Sequence, residues 1–247
     1  MKIKSRVYID LKLRNNQTII PSSEIQHYLI RVLRCNLNDL FSVFNGKEEW
    51  ITKVSKIEKN YCELITQKLH KKLTDRCRVD LFISPLKKAP FEFVIQKCSE
   101  LGVDEFHPVH MQHTNKGNLD YLRLETIAKE SAEQCGRITV PKIHKVKNFE
   151  ECFKNSNYDF IIYCSLNEKD KHINSNIIKK ETNRVALVIG PEGDFSKSEF
   201  EQLENNDKFY PVSLGTTVLK SETAAIVATA LLLSLIHISE PTRLRHI

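Results

Sequence analysis

The chain has 247 residues, 41% of them hydrophobic and 28% charged, with only 7 glycines and 8 prolines. These values predict a globular protein of one large or two modest domains and exclude a fibrous or disordered chain. Lys and Arg exceed Asp and Glu by 37 to 31, a formal net charge of +6. That excess suits phosphate contacts but equally suits a solvated, lysine-rich surface.

The first 72 residues predict a small β-rich unit. Its predicted strands are 41–44, 50–54 and 61–65. Asn45-Gly46 lies between the first two of these strands and favours a hairpin turn. One helix belongs to this unit, and its start has Ser23 and Gln26 at the spacing of a capping box, in which each side chain satisfies a backbone donor of the other.

Side chains of this helix separate into two faces at about 100° per residue. The basic face carries His27, Arg31 and Arg34. The apolar face carries Ile25, Leu29, Val32 and Leu33. We expect the apolar face to pack on the β unit. The basic face fits contacts with RNA, because arginine can fork onto phosphate oxygens. A merely solvated basic face is the alternative.

Strands alternate with helices from residue 79 onward, after a basic, turn-rich stretch at 68–78 that predicts a linker. The predicted strands are 79–83, 105–110, 158–164, 185–189 and 209–214. The predicted helices are 90–101, 119–136, 197–205 and 221–235. This alternation predicts an α/β domain whose largely parallel sheet is covered by helices on both faces.

Two of the predicted strands end at a glycine, Gly190 and Gly215, where backbone can approach a ligand closely. Ligands of open parallel sheets gather beyond the carboxyl ends of the strands. Neither turn is a G-x-G-x-x-G or Walker loop, so the sequence does not favour binding of a nicotinamide cofactor or of ATP. Ordinary strand-to-helix turns are the alternative, and Ser196 with Glu199 forms a capping box that would start the next helix in any case.

The predicted helix at 119–136 also has two faces. The polar face carries Glu130, Glu133, Gln134 and Arg137. The apolar face carries Leu124, Ala128, Ala132 and Cys135. The polar side chains fit either an exposed lattice of charge pairs or the lining of a crevice.

Three histidines close together in sequence, His107, His110 and His113, do not predict a metal site. Side chains alternate along a strand, so His107 and His113 point one way and His110 the other. No cysteine or carboxylate nearby in sequence completes a tetrahedral set. We therefore expect no metal.

The seven cysteines are scattered, without a C-x-x-C pair or a disulfide framework. Such thiols are typical of a reducing compartment, and residues 1–14 lack the apolar run of a secretion signal. We expect a cytoplasmic protein without a membrane span, because the apolar stretch 224–236 is too short to cross a bilayer. Residues 237–247 abandon the preceding pattern and predict an appended or disordered tail.

Several motifs, in order along the chain, resemble the RsmE family, SPOUT-class enzymes that methylate N3 of a uridine in bacterial 16S ribosomal RNA. The motifs are His27-x-x-x-Arg31-Val32-Leu33-Arg34, Lys97-x-x-Glu100-Leu101-Gly102-Val103, Lys129-Glu130-x-Ala132-Glu133-Gln134-x-x-Arg137, residues 189–196, and Leu214-Gly215-x-x-Val218-Leu219-Lys220-x-Glu222-Thr223-Ala224. Each motif is weak alone, but the ordered set, from residue 27 to residue 224, is specific.

The resemblance implies the following domains: a PUA-like RNA-binding β-barrel at 1–72, a SPOUT methyltransferase domain with a trefoil knot at 73–236, and the tail at 237–247. It also implies a homodimer that acts on 16S ribosomal RNA or the small ribosomal subunit. The apolar segment 224–235 fits burial in such an interface.

The resemblance further implies that S-adenosyl-L-methionine binds to the two glycine turns. The implied cofactor-binding residues are Ile189, Gly190, Pro191, Glu192, Gly193, Leu214, Gly215, Thr217, Val218, Leu219, Thr223 and Ala224. The chain departs from the family pattern at Asp194, where a glycine is usual, and at Lys220, where an arginine is usual. Lysine keeps the charge but loses the bidentate fork.

The implied catalytic residues are Arg137, Glu133 and Glu222, and the implied RNA-binding residues are His27, Arg31, Arg34 and Lys220. Arg137 would stabilise negative charge on the uridine oxygens, and a carboxylate would accept the N3 proton. Two alternatives stay open at this point: a ribosome-associated RNA-binding protein without activity, and a SPOUT enzyme that methylates another RNA position.

Overall fold

A computed structural model of the chain describes residues 2–114, 117–154, 157–165, 173 and 182–239. The fold divides into two compact units. Unit 1 comprises Met1–Thr74 and Ala132–Val140, and unit 2 comprises Asp75–Ser131 and Pro141–Ile247. Each unit has its own sheet, and the two are described separately.

Unit 1 is built on a five-stranded sheet. Its strands are β1 (Ile3–Tyr8), β2 (Thr18–Ile19), β3 (Leu40–Phe44), β4 (Glu48–Glu58) and β5 (Tyr61–Lys72), in the order β1-β3-β4-β5-β2. β1 and β3 are parallel, and the other pairs are antiparallel. The predicted turn at Asn45-Gly46 is confirmed, because Gly46 has a φ of +88° between β3 and β4. The predicted linker is wrong over its first residues, since β5 pairs with β4 as far as Lys72.

The predicted helix of unit 1 is divided in two. Helix α1 (Ser23–His27) passes into a π-helical turn, Tyr28–Val32. The predicted capping box is wrong: the N-cap is Ser22, whose side chain accepts from the Ile25 amide. Gln26 instead donates to the carbonyl of Pro21 at 2.8 Å.

The π-helical turn changes which side chains face the core. Its i→i+5 bond, from the Leu33 amide to the Tyr28 carbonyl, widens the helix and displaces the side chains that follow. Leu29 is fully buried, as predicted, whereas Val32 is 59% exposed, so its predicted place on the apolar face is wrong.

Unit 2 is built on a parallel sheet, as the alternation of strands and helices predicts. Its strands are β6 (Arg78–Ile83), β7 (Glu105–His110), β8 (Lys142–Ile143), β9 (Lys147–Asn148), β10 (Phe160–Cys164), β11 (Arg184–Ile189) and β12 (Phe209–Val212). The order is β12-β10-β11-β6-β7-β8, and β9 also pairs with β7. Strands β8 and β9 were not predicted, because two residues carry no periodicity.

The helices lie close to their predicted positions. They are α2 (Lys88–Leu101), α3 (Tyr121–Cys135), α4 (Phe149–Cys152), α5 (Lys197–Glu204) and α6 (Ser221–Ser239). The four-residue α4 is the exception, because no helix was predicted there. The capping box of Ser196 and Glu199 is confirmed at the start of α5. On α3, Leu124 and Ala128 are buried as predicted, but Cys135 in the last turn is exposed, so its predicted apolar environment is wrong.

Helix α6 is the most apolar helix among the described residues. By length and composition, its residues 221–238 could cross a membrane, but Ala225, Ala228 and Leu232 are fully buried within the protein, as in a core helix. It packs on α2, where Thr229 contacts the Cys98 thiol at 3.7 Å. The helix extends through residues 237–239, which were predicted as tail, while 240–247 lie outside the described residues.

Candidate functional site

The two glycine turns line a single cavity of unit 2, as the sequence predicts. It lies beyond the carboxyl ends of β10, β11 and β12 and spans about 620 Å³ with its open mouth, a size typical of small-molecule sites. Its lining residues are Cys164, Ser165, Ile189, Gly190, Pro191, Glu192, Asp194, Ser213, Leu214, Gly215, Thr217, Val218, Leu219, Ser221 and Ala224. Ten of the twelve residues predicted for the cofactor are among them; Gly193 and Thr223 are not.

Close backbone packing explains the glycine after β11. A Cβ atom on Gly190 would lie 3.2 Å from the ring of Phe195, tighter than ordinary contact. The hydroxyl of Ser221 donates to the Gly190 carbonyl at 3.1 Å and so ties the start of α6 to this turn. In the second turn, Gly215 has a φ of +130°, a conformation that favours glycine.

Asp194, one of the two predicted departures from the pattern that the resemblance implies, has a backbone conformation that favours glycine. Asp194 has a φ of +62°. Aspartate is among the few residues that tolerate this region. Its carboxylate accepts from the Phe195 amide at 2.8 Å, which stabilises the turn locally. His113 contacts the Asp194 carbonyl through Nδ1 at 3.0 Å, so the turn is also anchored from outside.

Five lining residues were not predicted, and some of them have a visible signal in the sequence. Cys164 ends β10, the neighbour of β11, and Ser165 follows it, and strand ends are where ligands gather. Burial raises the pKa of the Cys164 thiol to about 12, so the thiol is neutral at physiological pH. It therefore serves as an apolar wall. Ser213 and Ser221 flank the second turn, but nothing in their spacing indicates a ligand.

Two of the predicted catalytic residues, Glu133 and Arg137, belong to unit 1. Arg137 donates through Nε and Nη2 to the hydroxyl of Thr139, at 3.2 and 2.8 Å. One oxygen of Glu133 accepts from the Tyr8 amide at 2.9 Å. The third, Glu222, is half-buried in the first turn of α6, in unit 2.

Arg6, which the sequence analysis did not single out, organises the segment that carries Arg137. Its guanidinium donates to the carbonyls of Ala132, Glu133 and Arg137 at 2.8 to 3.0 Å. It also binds both oxygens of Glu49, at 2.9 and 3.2 Å. These five bonds match the five N–H donors of a guanidinium. Arg6 therefore fixes the backbone on both sides of Gly136.

Glu49 is the carboxylate that pairs with Arg6 in this cluster. It is only 2% exposed and also accepts from the Ser42 hydroxyl. Burial alone raises the pKa of Glu49, but the hydrogen bonds from Arg6 and Ser42 outweigh it and hold the pKa below its ordinary value. The carboxylate is thus charged and fully engaged.

The structure brings together two of the three basic residues predicted on α1 and the turn after it. His27 and Arg31 line a groove of unit 1 together with Tyr61. Arg31 donates to the side chain of Asn60 at 2.6 Å. Arg34 is exposed but does not line this groove, and its φ of +48° places it in a turn beyond the helix. Lys220, just before α6, is exposed.

The predicted lack of a carboxylate near His107 is wrong. Glu105, His107 and His144 place their ligand atoms within 4.8 Å of one another. However, the two imidazoles stack with their centroids 4.2 Å apart and their planes 9° from parallel. Lone pairs of parallel rings do not converge, whereas a tetrahedral ion needs converging ligands. The cluster is better explained by its 2.7 Å hydrogen bond between His144 and Glu105.

Comparison with known proteins places both units in the same functional class. A family model described as an RNA methyltransferase domain matches residues 74–233, and a second, described as an RNA methyltransferase PUA domain, matches residues 21–67. A protein of Mesomycoplasma hyopneumoniae named "Ribosomal RNA small subunit methyltransferase E" is 30% identical over 90% of this chain and 95% of its own. A protein of the same name from Rickettsia conorii is 28% identical over 92% and 93% of the two chains.

Solved structures share the fold over nearly the whole chain. A ribosomal RNA small subunit methyltransferase E of Neisseria gonorrhoeae, described as bound to S-adenosyl methionine, has a TM-score of 0.83. It is 24% identical and the match covers 94% of this chain and 97% of the other. A methyltransferase of Legionella pneumophila, described in complex with the same cofactor, has a TM-score of 0.80 at 23% identity, over 97% and 98% of the two chains.

Proposed function

Because the chain belongs to the ribosomal RNA small subunit methyltransferase E family, we propose that it transfers a methyl group from S-adenosyl-L-methionine to N3 of a uridine in 16S ribosomal RNA. The observation that carries this proposal is the meeting of the Gly190 and Gly215 turns in one cavity. The substrate is the RNA of the small ribosomal subunit, and the expected location is the cytoplasm.

The cavity fits the methyl donor by the chemistry of its lining. Gly190 and Gly215 have no side chains, so each turn can bring backbone amides and carbonyls to the cavity, which suits hydrogen bonding to an adenine ring. Apolar side chains of Ile189, Leu214 and Leu219 complete the wall and suit the faces of the ring. When bound, the cofactor would supply a methyl group already activated on a sulfonium. Gly193 and Thr223 stay in the proposed set as neighbours of the lining residues.

Uridine N3 carries a proton and is a poor nucleophile until the proton leaves, so the protein must orient the base and assist its deprotonation. We propose that Arg137 stabilises the negative charge that develops on the uridine oxygens. Glu133 or Glu222 would accept the proton, directly or through water. One oxygen of Glu133 accepts from the Tyr8 amide at 2.9 Å, a hydrogen bond that orients its carboxylate.

RNA would contact unit 1 through the groove with His27 and Arg31, and would further contact Arg34 and Lys220. Arginine in such a groove can fork onto phosphate, and Tyr61 offers an aromatic face beside it. The family relationship also leads us to propose the trefoil knot in the methyltransferase domain, the PUA-like barrel at 1–72, and a homodimer buried around α6. Exposed Leu231 and Ile238 on this helix support such an interface.

A methyl-transfer assay tests the proposal directly. Purified protein, S-adenosyl-L-methionine and either 16S ribosomal RNA or small subunits lacking the modification should yield 3-methyluridine, located by mass spectrometry. Methylation at another atom or nucleotide would favour a SPOUT enzyme of different specificity. RNA binding without cofactor binding or methyl transfer would favour a ribosome-associated protein without activity.

The role of Arg137 has its own test. Arg137→Ala should lower turnover by about 100-fold or more, as loss of a charge-stabilising donor commonly does. Its affinity for S-adenosyl-L-methionine, measured by calorimetry, should change little. Arg123→Ala is the matched control, because Arg123 lies on α3, the helix that precedes Arg137 in the chain, and is half exposed, with Glu92 at 3.8 Å. Equal losses of turnover and cofactor affinity would count against the role.

A further inference from the structure

Unit 2 contains a second cavity, remote from the glycine turns, which we call the lysine cleft. Its lining includes Lys145, Lys147, Lys154 and Arg184, and it spans about 690 Å³ with its mouth. Arg184 begins β11, whereas Ile189 ends it beside the cofactor cavity. The two positions are five residue steps apart along the strand, roughly 17 Å. The two cavities share no lining residue.

The cleft is positively charged, and its charge is unmatched. No aspartate or glutamate is among its lining residues. Within the described parts of the chain, Lys145, Lys147 and Lys154 make no ion pair. Arg184 is different, because its guanidinium binds the buried Asp80 at 2.5 and 2.8 Å. The three lysines therefore supply the net charge of the cleft.

The backbone holds the lysines on one side. Lys147 begins β9 and Lys145 lies two residues before it, and the side chains of both line the cleft. The ammonium of Lys145 lies 3.6 Å from the centre of the Tyr121 ring, a cation–π contact that limits its freedom. Lys154 follows α4 and reaches the cleft from another element.

Clustering of three like charges from two elements raises the free energy of the protein unless an anion neutralises them. Lysine binds phosphate as a point charge, without the geometric demands of a bidentate pair. The cleft is open to solvent, since all three lysines are exposed, so an extended polymer can reach it. A polyanion is thus the ligand that its chemistry fits best.

We propose that the lysine cleft binds phosphate groups of the RNA backbone, as a second RNA contact remote from the methyl-transfer cavity. This inference rests on the RNA substrate of the proposed function. It assigns the cleft a sequence-independent role: to hold the RNA and to fix its register, while other residues select the base.

Salt dependence of RNA binding tests the inference. The double variant Lys147→Gln/Lys154→Gln removes two cleft charges, and Lys88→Gln/Lys142→Gln is a control with the same change of net charge, from exposed lysines outside the cleft. Affinity for fluorescently labelled 16S ribosomal RNA would be measured by anisotropy at several salt concentrations. For two lost phosphate contacts, the slope of log affinity against log salt should fall in magnitude by about 1.4 to 1.8.

The expected result is that slope change in the cleft variant, with RNA binding at least about tenfold weaker at low salt, and no such change in the control. Cofactor affinity and the unfolding temperature should match those of the wild type. An unchanged slope in the cleft variant would overturn the inference. So would inorganic phosphate that binds the wild type and not the variant while RNA binding stays the same, because the cleft would then serve a small anion.

Methyl transfer by the same proteins separates the two proposals. Wild-type protein that methylates RNA while the cleft variant keeps its salt slope would contradict the cleft alone. Wild-type protein that binds RNA with the expected slope difference but transfers no methyl group would contradict the proposed function and support the cleft.

Discussion

Each unit contains an arginine that binds a buried carboxylate, but the two pairs differ in how many of their hydrogen-bonding groups are satisfied. In unit 1, Arg6 uses five donors, two on Glu49 and three on backbone carbonyls. In unit 2, Arg184 directs both of its bonds with Asp80 to the same oxygen. The other Asp80 oxygen is buried and has no hydrogen-bond partner among the described residues.

The pKa values follow this difference. Hydrogen bonds from Arg6 and Ser42 overcome burial and lower the pKa of Glu49. Burial dominates at Asp80 and raises its pKa, although Arg184 and Tyr158 both donate to it. A neighbouring arginine therefore does not by itself stabilise a buried charge: the carboxylate must also have its remaining lone pairs satisfied.

The largest expected effect comes from neutralising each carboxylate in turn. Glu49→Gln should lower the free energy of unfolding at neutral pH by about 3 to 5 kcal/mol, because it removes the buried charge that compensates the half-buried guanidinium of Arg6. Asp80→Asn should cost no more than about 1 kcal/mol, since it also removes a charge that burial disfavours. Urea unfolding of both variants measures the difference, and equal losses would contradict the comparison.

The pH dependence of these variants has opposite signs. The folded-state pKa of Glu49 is lowered, so its stabilisation is present above the unfolded value and is lost as pH falls. The difference in the free energy of unfolding between the wild type and Glu49→Gln should therefore become smaller as the pH falls. The folded-state pKa of Asp80 is raised, because burial disfavours its charged form. The charged carboxylate therefore lowers the free energy of unfolding at neutral pH, and this loss disappears when the carboxyl is protonated in acid.

An intermediate effect is expected from Arg6→Lys, which keeps the charge but cannot reach three carbonyls and a carboxylate together. We expect turnover to fall by about tenfold, on the order of the loss of one charged hydrogen bond, because the Arg137 segment loses its anchor. Cofactor affinity should be unchanged. Lys4→Gln is the control, as Lys4 lies on the same strand and pairs with Asp39 at the surface. A loss of stability without a loss of turnover would mean that Arg6 has no positioning role.

A smaller effect is expected at His107, beside the incompletely satisfied pair of unit 2. Burial lowers the pKa of His107 to about 3, from 6.5, with a further contribution from His144. The unfolded chain then binds more protons between these values, so stability falls as pH drops through this window. His107→Gln should flatten that part of the curve of unfolding midpoint against pH. An identical curve for the variant would contradict the conclusion that His107 is buried and neutral in the folded protein.

The sequence predicts those parts of the fold that depend on local patterns. Strand β7 and the capping box at Ser196 follow from alternation and from residue spacing, and the structure has both where expected. The meeting of Gly190 and Gly215 also follows from sequence, because parallel strands bring their carboxyl ends to one edge.

Other features depend on contacts between distant residues and leave no local signal. Arg6 binds Glu49, 43 residues away, and the carbonyl of Arg137, 131 residues away. The segment Ala132–Val140 belongs to unit 1 for this reason, although the predicted domain boundaries gave no hint of it. The π-helical turn at Tyr28–Val32 likewise has no counterpart in an analysis that assumes 100° per residue.

The hydroxyl of Ser221 limits what the cavity can recognise at one point. A carbonyl oxygen has two lone pairs, and that of Gly190 already accepts one proton from this hydroxyl. A bound molecule can therefore offer this oxygen a single further donor. Exchange of Ser221 for alanine would open a second acceptor direction at this oxygen and would remove the hydrogen bond that joins the start of α6 to the Gly190 turn, so a single hydroxyl both limits the donors that a bound molecule can present and links these two segments.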